Sequence, residues 1–209
     1  MLDWEPAARQ RGVILRRDLL GSIGGGAAAI ALGATQARAQ QTEPLAINVF
    51  VAYIYGYAPV TMEATELLQT AVPDANSVPG AAPINQFAYI KALATSAAKT
   101  VVRPNADTIH TTAWLDLSLQ PMVISLPAVP NRYYVMPLYD AYTNEIFSFR
   151  PRTTGSTAGD YLIAGPSWSG TVPQGITAMV LAATPTVRVI GRTLVRGPDD
   201  LPDAVSVTE

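Results

Sequence analysis

From Ala113 to Val195 the chain is cut into short apolar runs, and this punctuation constrains its fold more than any other feature. The runs are 113–117, 122–126, 133–139, 145–149, 161–164, 177–182 and 187–195. Between them stand segments rich in Pro, Gly, Asn, Ser and Thr, at 127–131, 152–159, 165–175 and 184–185. Each run is too short for the three or four turns of an ordinary helix and has the length of a strand. Short strands separated by turn chemistry predict a mainly β domain, an antiparallel β-sandwich or jelly-roll-like fold. Strands alternating with helices, the pattern of a doubly wound parallel sheet, are absent. Pro137 falls inside the third run, and its missing amide hydrogen predicts an edge strand or a bulge there.

Upstream the period changes. Ile47, Val51, Ile54, Tyr55 and Ala58 recur at helical spacing, and Val60, Ala64, Leu67, Leu68 and Ala71 continue the stripe after Pro59. Glu63 and Glu66 lie to the other side. This predicts a helical entry over 45–72, as two helices or one helix bent at Pro59. Residues 73–86, with three prolines, Gly80 and two asparagines, predict a surface loop. The expectation is a single α+β domain over 40–209 with N-terminal helices and a β-rich part over 101–205.

The first 39 residues are of another kind. Arg9, Arg11, Arg16 and Arg17 form a basic region, 19–34 is apolar and glycine-diluted, and Ala37-Arg38-Ala39 is a small-x-small pattern. That is the layout of a secretory signal cut after Ala39, and Arg16-Arg17-Asp18-Leu19-Leu20 has the form of a twin-arginine signal. The apolar run, about 16 residues, is short for a membrane span, which needs about 20. The expected location is the periplasm, with membrane contact only during export.

Composition removes whole classes of chemistry. There is no cysteine, so disulfides, thiolate zinc and iron–sulfur clusters are excluded. The single histidine, His110, cannot supply a multi-histidine metal site. A net charge of −2 gives no basic face for nucleic acid. No calcium-loop spacing, Walker motif or dinucleotide fingerprint occurs, so no metal and no cofactor are expected. Gly155-Ser156-Thr157-Ala158-Gly159 imitates a nucleophile elbow, but strand-like runs lie on both sides where the elbow needs a following helix.

One ordered set of motifs carries a family resemblance. It runs Arg103-Pro104-Asn105-Ala106-Asp107-Thr108, then Ala113-Trp114-Leu115-Asp116-Leu117, then Arg132-Tyr133-Tyr134-Val135-Met136 with Asp140, Thr143 and Asn144. It continues through Arg152-Thr153-Thr154-Gly155, Ala158-Gly159-Asp160-Tyr161-Leu162, Gly165-Pro166 with Trp168 and Gly170, and Gly191-Arg192-Thr193. Tyr55-Gly56-Tyr57 and Met62-Glu63-Ala64-Thr65 match at the helical entry. In this order the set resembles the bacterial family called domain of unknown function 1254, over roughly residues 45–205. The resemblance implies a β-sandwich with N-terminal helices and a biochemical role not yet established. It also implies a following domain, of unknown function 1214, for which this sequence has no counterpart. Ile109-His110 stands where the family more often has leucine–tyrosine.

Candidate site residues cluster at the ends of the strand-like runs. Arg103 can grip an anion with its planar fork, and Asp107 can orient it or act as a base. Asn105 supports the turn between them. Asp140 and Asn144 leave the end of the third run, and Arg152 and Thr153 follow the fourth. A cleft joining Arg103, Asn105, Asp107, Asp140, Asn144, Arg152 and Thr153 would set two carboxylates, Asp107 and Asp140, against two arginines for acid–base work. The same residues read equally as structural caps and ion pairs. Two functions follow: a domain binding a small polar or anionic molecule, or an envelope enzyme or half of one. A third reading is an assembly module for a second domain or another copy.

Overall fold

The computed structural model describes the backbone of residues 28–98 and 103–208, and side chains from Pro44 onward. The chain divides into two compact units at Phe50/Val51. Among the described residues, the first unit holds only the helical backbone that begins α1 (Ala28–Thr70). The second holds the remainder of α1 and everything after it. One helix runs straight through the sequence around Pro59, so the two-helix alternative is not realised. Thr61 and Thr65 return their hydroxyls to the carbonyls of Tyr57 and Thr61, at 2.8 and 2.7 Å. Arg16 and Arg17 lie outside the described residues. Ala37 and Ala39 lie in α1, where only the backbone is described.

Eight strands follow: β1 (Phe87–Ile90), β2 (Thr108–Asp116), β3 (Met122–Leu126), β4 (Tyr134–Tyr139), β5 (Glu145–Phe149), β6 (Gly159–Ala164), β7 (Ile176–Leu181) and β8 (Thr186–Leu194). A short helix α2 (Pro151–Thr154) lies between β5 and β6. A 3-10 turn (Pro198–Asp200) leads into the closing helix α3 (Leu201–Thr208). Five strands form one sheet in the order β1-β2-β8-β4-β5, and three form a second in the order β3-β6-β7. The fold is mainly β with helices, as the apolar runs predict.

Three details differ from expectation. The strand β1 follows directly on the 73–86 loop and matches none of the predicted runs. Asn76 and Asn85, both in the left-handed region at φ 63° and 62°, turn the chain so that these four residues pair with β2. The asparagine side chains then accept hydrogen bonds from the backbone amides of Tyr89 and Asp116. Pro137 is not on an edge strand, since β4 lies between β5 and β8, and the irregularity expected as the alternative is what the strand shows. The sheet absorbs it by omitting Met136 and Pro137 from the β4–β8 pairing and by shifting the β4–β5 register at Leu138/Tyr139. The third difference is that β6 and β7 run parallel. A parallel pair needs a crossover, which residues 165–175 supply. Gly165 opens that crossover because a Cβ there would sit 2.7 Å from the Leu117 carbonyl.

Both sheets feed one core. On β8 the residues alternate strictly. Val187, Val189, Gly191 and Thr193 are buried on the inner face, while Arg188, Ile190 and Arg192 face the other way. Ala113 and Leu115 of β2, Leu138 of β4 and Phe149 of β5 extend the inner face sideways. Ile124 and Leu126 of β3, Tyr161 and Ile163 of β6 and Val180 of β7 meet them from the small sheet. Phe149 sits edge-on to Phe147 and to Tyr161, with ring centroids 5.0 and 4.8 Å apart.

The outer face of the large sheet is covered differently. Gln69 of α1 accepts a hydrogen bond from Trp114 Nε1 at 2.8 Å, and Thr112 donates to the Gly80 carbonyl at 3.0 Å. Met62, Ala81 and Ala82 are buried. Glu66 of α1 is perturbed upward in pKa by burial and then by Asp116 and Glu63, so its charge opposes this contact above its raised pKa. Farther up the helix, Leu45, Phe50, Ile54 and other large apolar side chains remain exposed.

Leu138→Ala removes a side chain with no exposed surface and should cost about 2–5 kcal/mol in chemical denaturation. Leu119→Ala, at 94% exposure, should change stability by less than about 0.5 kcal/mol.

Candidate functional site

The strand register decides which of the expected site residues can meet. Asp107 precedes Thr108, which pairs with Leu194 at one end of β8. Asp140 follows Tyr139, which pairs with Arg188 near the other end. Six residues of strand separate the two positions, about 20 Å at 3.3 Å per residue. Arg152 and Thr153 follow β5 at the Asp107 end of the sheet, but β4 and β8 stand between them and β2. The single cleft combining Arg103, Asn105, Asp107, Asp140, Asn144, Arg152 and Thr153 therefore does not form. No ion pair joins these residues among the described residues.

Their local contacts are those of turns and caps. Asp140, 4% exposed, accepts at Oδ1 from the amides of Tyr142 and Asn144, both at 2.9 Å. Asn144 Nδ2 reaches both of its oxygens, at 3.2 and 2.9 Å. The carboxylate thus closes the turn that carries Thr143 at φ 67°. Asn105 Oδ1 accepts from the Asp107 amide at 3.2 Å, and the Asp107 carbonyl accepts from the Val195 amide at 2.9 Å. The Asp107 and Arg103 side chains are exposed. Thr153 donates to the Ser148 carbonyl at 2.6 Å, and Arg152 is exposed on α2.

A different site lies inside. A cavity of about 400 Å³ opens between the sheets where the inner face of the large sheet carries its smallest residues. Gly191 lies opposite Thr111 on β2, with Thr193 two residues along on the same face. A Cβ on Gly191 would come within 3.1 Å of Thr111 Cβ and 3.4 Å of Met136 Cε, so the glycine is what leaves the floor open. Phe87, Tyr89, Tyr134 and Met136 form the sides, Ile124 to Pro127 with Val129 the opposite wall, and Ser206 to Thr208 of α3 one end.

The lining is mostly apolar, with hydroxyls at chosen places. The Tyr134 hydroxyl is engaged with the Gly155 carbonyl at 3.2 Å, so that ring contributes its face. Ser206 and Thr208 are bonded back to their own helix, to the carbonyls of Asp203 and Val205. Thr111 and Thr193 differ. Both are buried, at 5% and 7% exposure, yet neither hydroxyl makes a hydrogen bond with the described residues. Among the described residues the walls carry no carboxylate and no imidazole, and their one charged residue is Arg192. Its place in the β8 alternation puts it beside His110, on the outer face. There burial, and then the Arg192 charge, lower the His110 pKa, while Thr108 Oγ1 lies 3.3 Å from its Nε2.

The helix at one end of the cavity is held by an ion pair. Arg132 grips Asp200 through both terminal nitrogens, at 2.6 and 2.7 Å, and also donates to the Leu194 carbonyl at 2.7 Å. The Arg196 amide adds a bond to Asp200 at 2.8 Å, and the Arg196 guanidinium caps the Asn131 carbonyl. These contacts fix the 3-10 turn that launches α3, and Ala204 then buries against Ile109 and Val195. Residue-by-residue reading missed the Arg132–Asp200 pair because its partners lie 68 positions apart. It missed the cavity because glycine and threonine in a strand carry no signal of a hollow. Both Arg132 and Gly191-Arg192-Thr193 nevertheless lie within the motifs of the resemblance.

Two outcomes follow. The Arg132 hydrogen bond, followed by the Arg196 amide, lowers the Asp200 carboxyl to about 2, against about 3.9 in an unfolded chain. The pair's stabilisation is therefore complete above about pH 4 and is lost as pH falls toward 2. Amide exchange in α3 should accelerate over that interval, and Asp200→Asn should be fast already at neutral pH. Asp140→Ala should lower the melting temperature, because each lost bond to a buried carboxylate is worth about 1.5–3 kcal/mol. Asp107→Ala should leave it unchanged.

Comparison with known proteins agrees with this architecture. The family described as "Protein of unknown function (DUF1254)" matches residues 84–209, which hold all eight strands and α3. The crystal structure of the VPA0106 protein from Vibrio parahaemolyticus matches at 24% identity with a TM-score of 0.60, over 75% of this chain. At that identity the likeness is one of fold. The matched part is 35% of the Vibrio chain, so the present chain spans about a third of that protein's length. None of the curated proteins compared with this sequence matches it. With more than half of its residues under the family's pattern, this chain belongs to the DUF1254 family.

Proposed function

We propose that this domain, with its two sheets layered as a sandwich, binds a small, mainly apolar molecule bearing one or two hydrogen-bonding groups in the cavity above Gly191. The observation that carries the reading is the pair Thr111 and Thr193, buried residues whose hydroxyls are not sealed and make no bond with the described residues, at the wall of a hollow of about 400 Å³. Unbonded hydroxyls that open onto a mainly apolar cavity mark where a guest's donor or acceptor fits. The aromatic and aliphatic walls supply most of the contact area and the hydroxyls the orientation. The chemistry of the lining favours binding over catalysis, because among the described residues none at the wall offers the carboxylate or imidazole of general acid–base work.

The test is a thermal-shift screen of the intact chain against small alcohols, ketones and aromatic acids. A hit should raise the melting temperature in proportion to the logarithm of its concentration. The double substitution Thr111→Val/Thr193→Val keeps the shape and removes both hydroxyls. It should weaken a hit by about 10-fold or more, at about 1 kcal/mol per lost hydrogen bond. Gly191→Leu should fill the floor and abolish binding. A hit of equal strength in all three proteins would refute the site.

We also propose that the domain works in the periplasm. The leader ending at Ala39, with Arg16-Arg17 as a twin-arginine signal, supports this reading, and the apolar N-terminal part of the chain is compatible with it. Protein recovered from the cell envelope should begin at Gln40, and Arg16→Lys/Arg17→Lys should hold it in the cytoplasm.

A further inference from the structure

The outer face of the large sheet carries a second polar anomaly, separate from the cavity. Trp114, Arg188 and Tyr139 lie side by side across β2, β8 and β4, since Trp114 and Tyr139 are each registered with Arg188. The Trp114 ring is buried, and its Nε1 is tied to Gln69. The Arg188 guanidinium carbon lies 5.0 Å from the centre of that ring. Stacking of this kind orients the guanidinium plane but takes none of its N–H groups, which point outward in that plane.

Those N–H groups have no acceptor. No carboxylate, carbonyl or hydroxyl of the described residues bonds Arg188, and its Nε is sealed from solvent without a partner. The acidic residues Glu66 and Asp116 act on each other and not on it. Arginine does not shed its proton at any pH that a folded protein meets, so burial cannot be relieved by discharge. Nη1 and Nη2 are not sealed, which leaves the outer edge of the fork open to an incoming group. Tyr139, the remaining neighbour in the row, makes no hydrogen bond through its hydroxyl among the described residues. A planar, charged fork held over an indole, with a phenol beside it, matches the two oxygens of a carboxylate.

We propose that Arg188, stacked on Trp114 and flanked by Tyr139, anchors a binding site for the carboxylate of a small organic acid on the outer face of the large sheet. Phosphate can also meet the fork with two oxygens, but its remaining oxygens lie out of that plane, so the flat carboxylate is preferred. The site lies across the sheet from the cavity, and neither depends on the other.

Calorimetric titration of the intact chain with sodium benzoate, and separately with inorganic phosphate, tests the assignment. Saturable benzoate binding, at least 10-fold weaker in Arg188→Met and reduced but measurable in Arg188→Lys, is the expected result, with phosphate the weaker ligand. Arg188→Met should fold with an equal or higher melting temperature, because it removes buried donors that have no acceptor. Tighter phosphate than benzoate binding would overturn the carboxylate assignment. Benzoate binding equal in the wild type and Arg188→Met, or none in the wild type, would overturn the site itself. So would a large drop in the melting temperature of Arg188→Met without any effect of benzoate on the wild type, since Arg188 would then be a stacking strut. Arg188→Lys separates charge from geometry: full benzoate affinity there would remove the role of the planar fork.

Discussion

Everything in this domain is arranged about the strict alternation of β8. It is the central strand of the large sheet, and its side chains go by turns into the core and onto the outer face. Val187 and Val189 anchor the packing against the small sheet, and each buried aliphatic side chain of this size contributes about 1.5–3 kcal/mol. The next two inward positions, Gly191 and Thr193, break that apolar series. The core stops being filled where they stand, and a hollow begins. A shift of one residue in the pairing with β2 would turn the arginines inward, so the register is enforced by the cost of burying charge.

Several of the polar and charged residues that stand out in the sequence hold this frame. Asp140 closes a turn, Asn105 closes another, and Arg132 with Asp200 fastens the last helix across the end of the sheets. Each satisfies backbone groups that would otherwise be stranded where strands end. Among the polar groups left over, beside the buried Ser148 hydroxyl, two sorts face a ligand. Thr111 and Thr193 face the cavity, and Arg188 lies on the tryptophan on the opposite face. One sheet thus presents a neutral hydroxyl-lined hollow on its inner side and a stacked cation on its outer side, and these ask for different chemistry from a ligand.

Much of the architecture was legible in the order of residues. The seven apolar runs correspond to seven of the eight strands, because turn chemistry is local and strand length is bounded by it. The strand β1 escaped because its four residues follow three prolines, and only the two left-handed asparagines reveal that the chain doubles back. The parallel pairing of β6 and β7 escaped for a related reason. Nothing within either strand distinguishes a hairpin partner from one reached by a crossover, and the tight approach of Gly165 to Leu117 exists only once the sheets are packed.

The candidate site was less legible, and the cause is physical. Asp107 and Asp140 both lie at strand ends, as their neighbours in the sequence indicate, but a strand has two ends. Which end is which follows from the direction of each strand in the sheet, and six residues of β8 hold the two carboxylates apart. By itself, then, the sequence determined the β-rich class, the turns, the helical entry and the family, since these depend on contacts among near neighbours and on ordered motifs. Only the tertiary structure decided that Asp140 caps a turn far from Asp107, and that a glycine between threonines opens a cavity. It alone decided that Arg188 meets Trp114, because residues 74 positions apart become neighbours only through the pairing of β2 with β8.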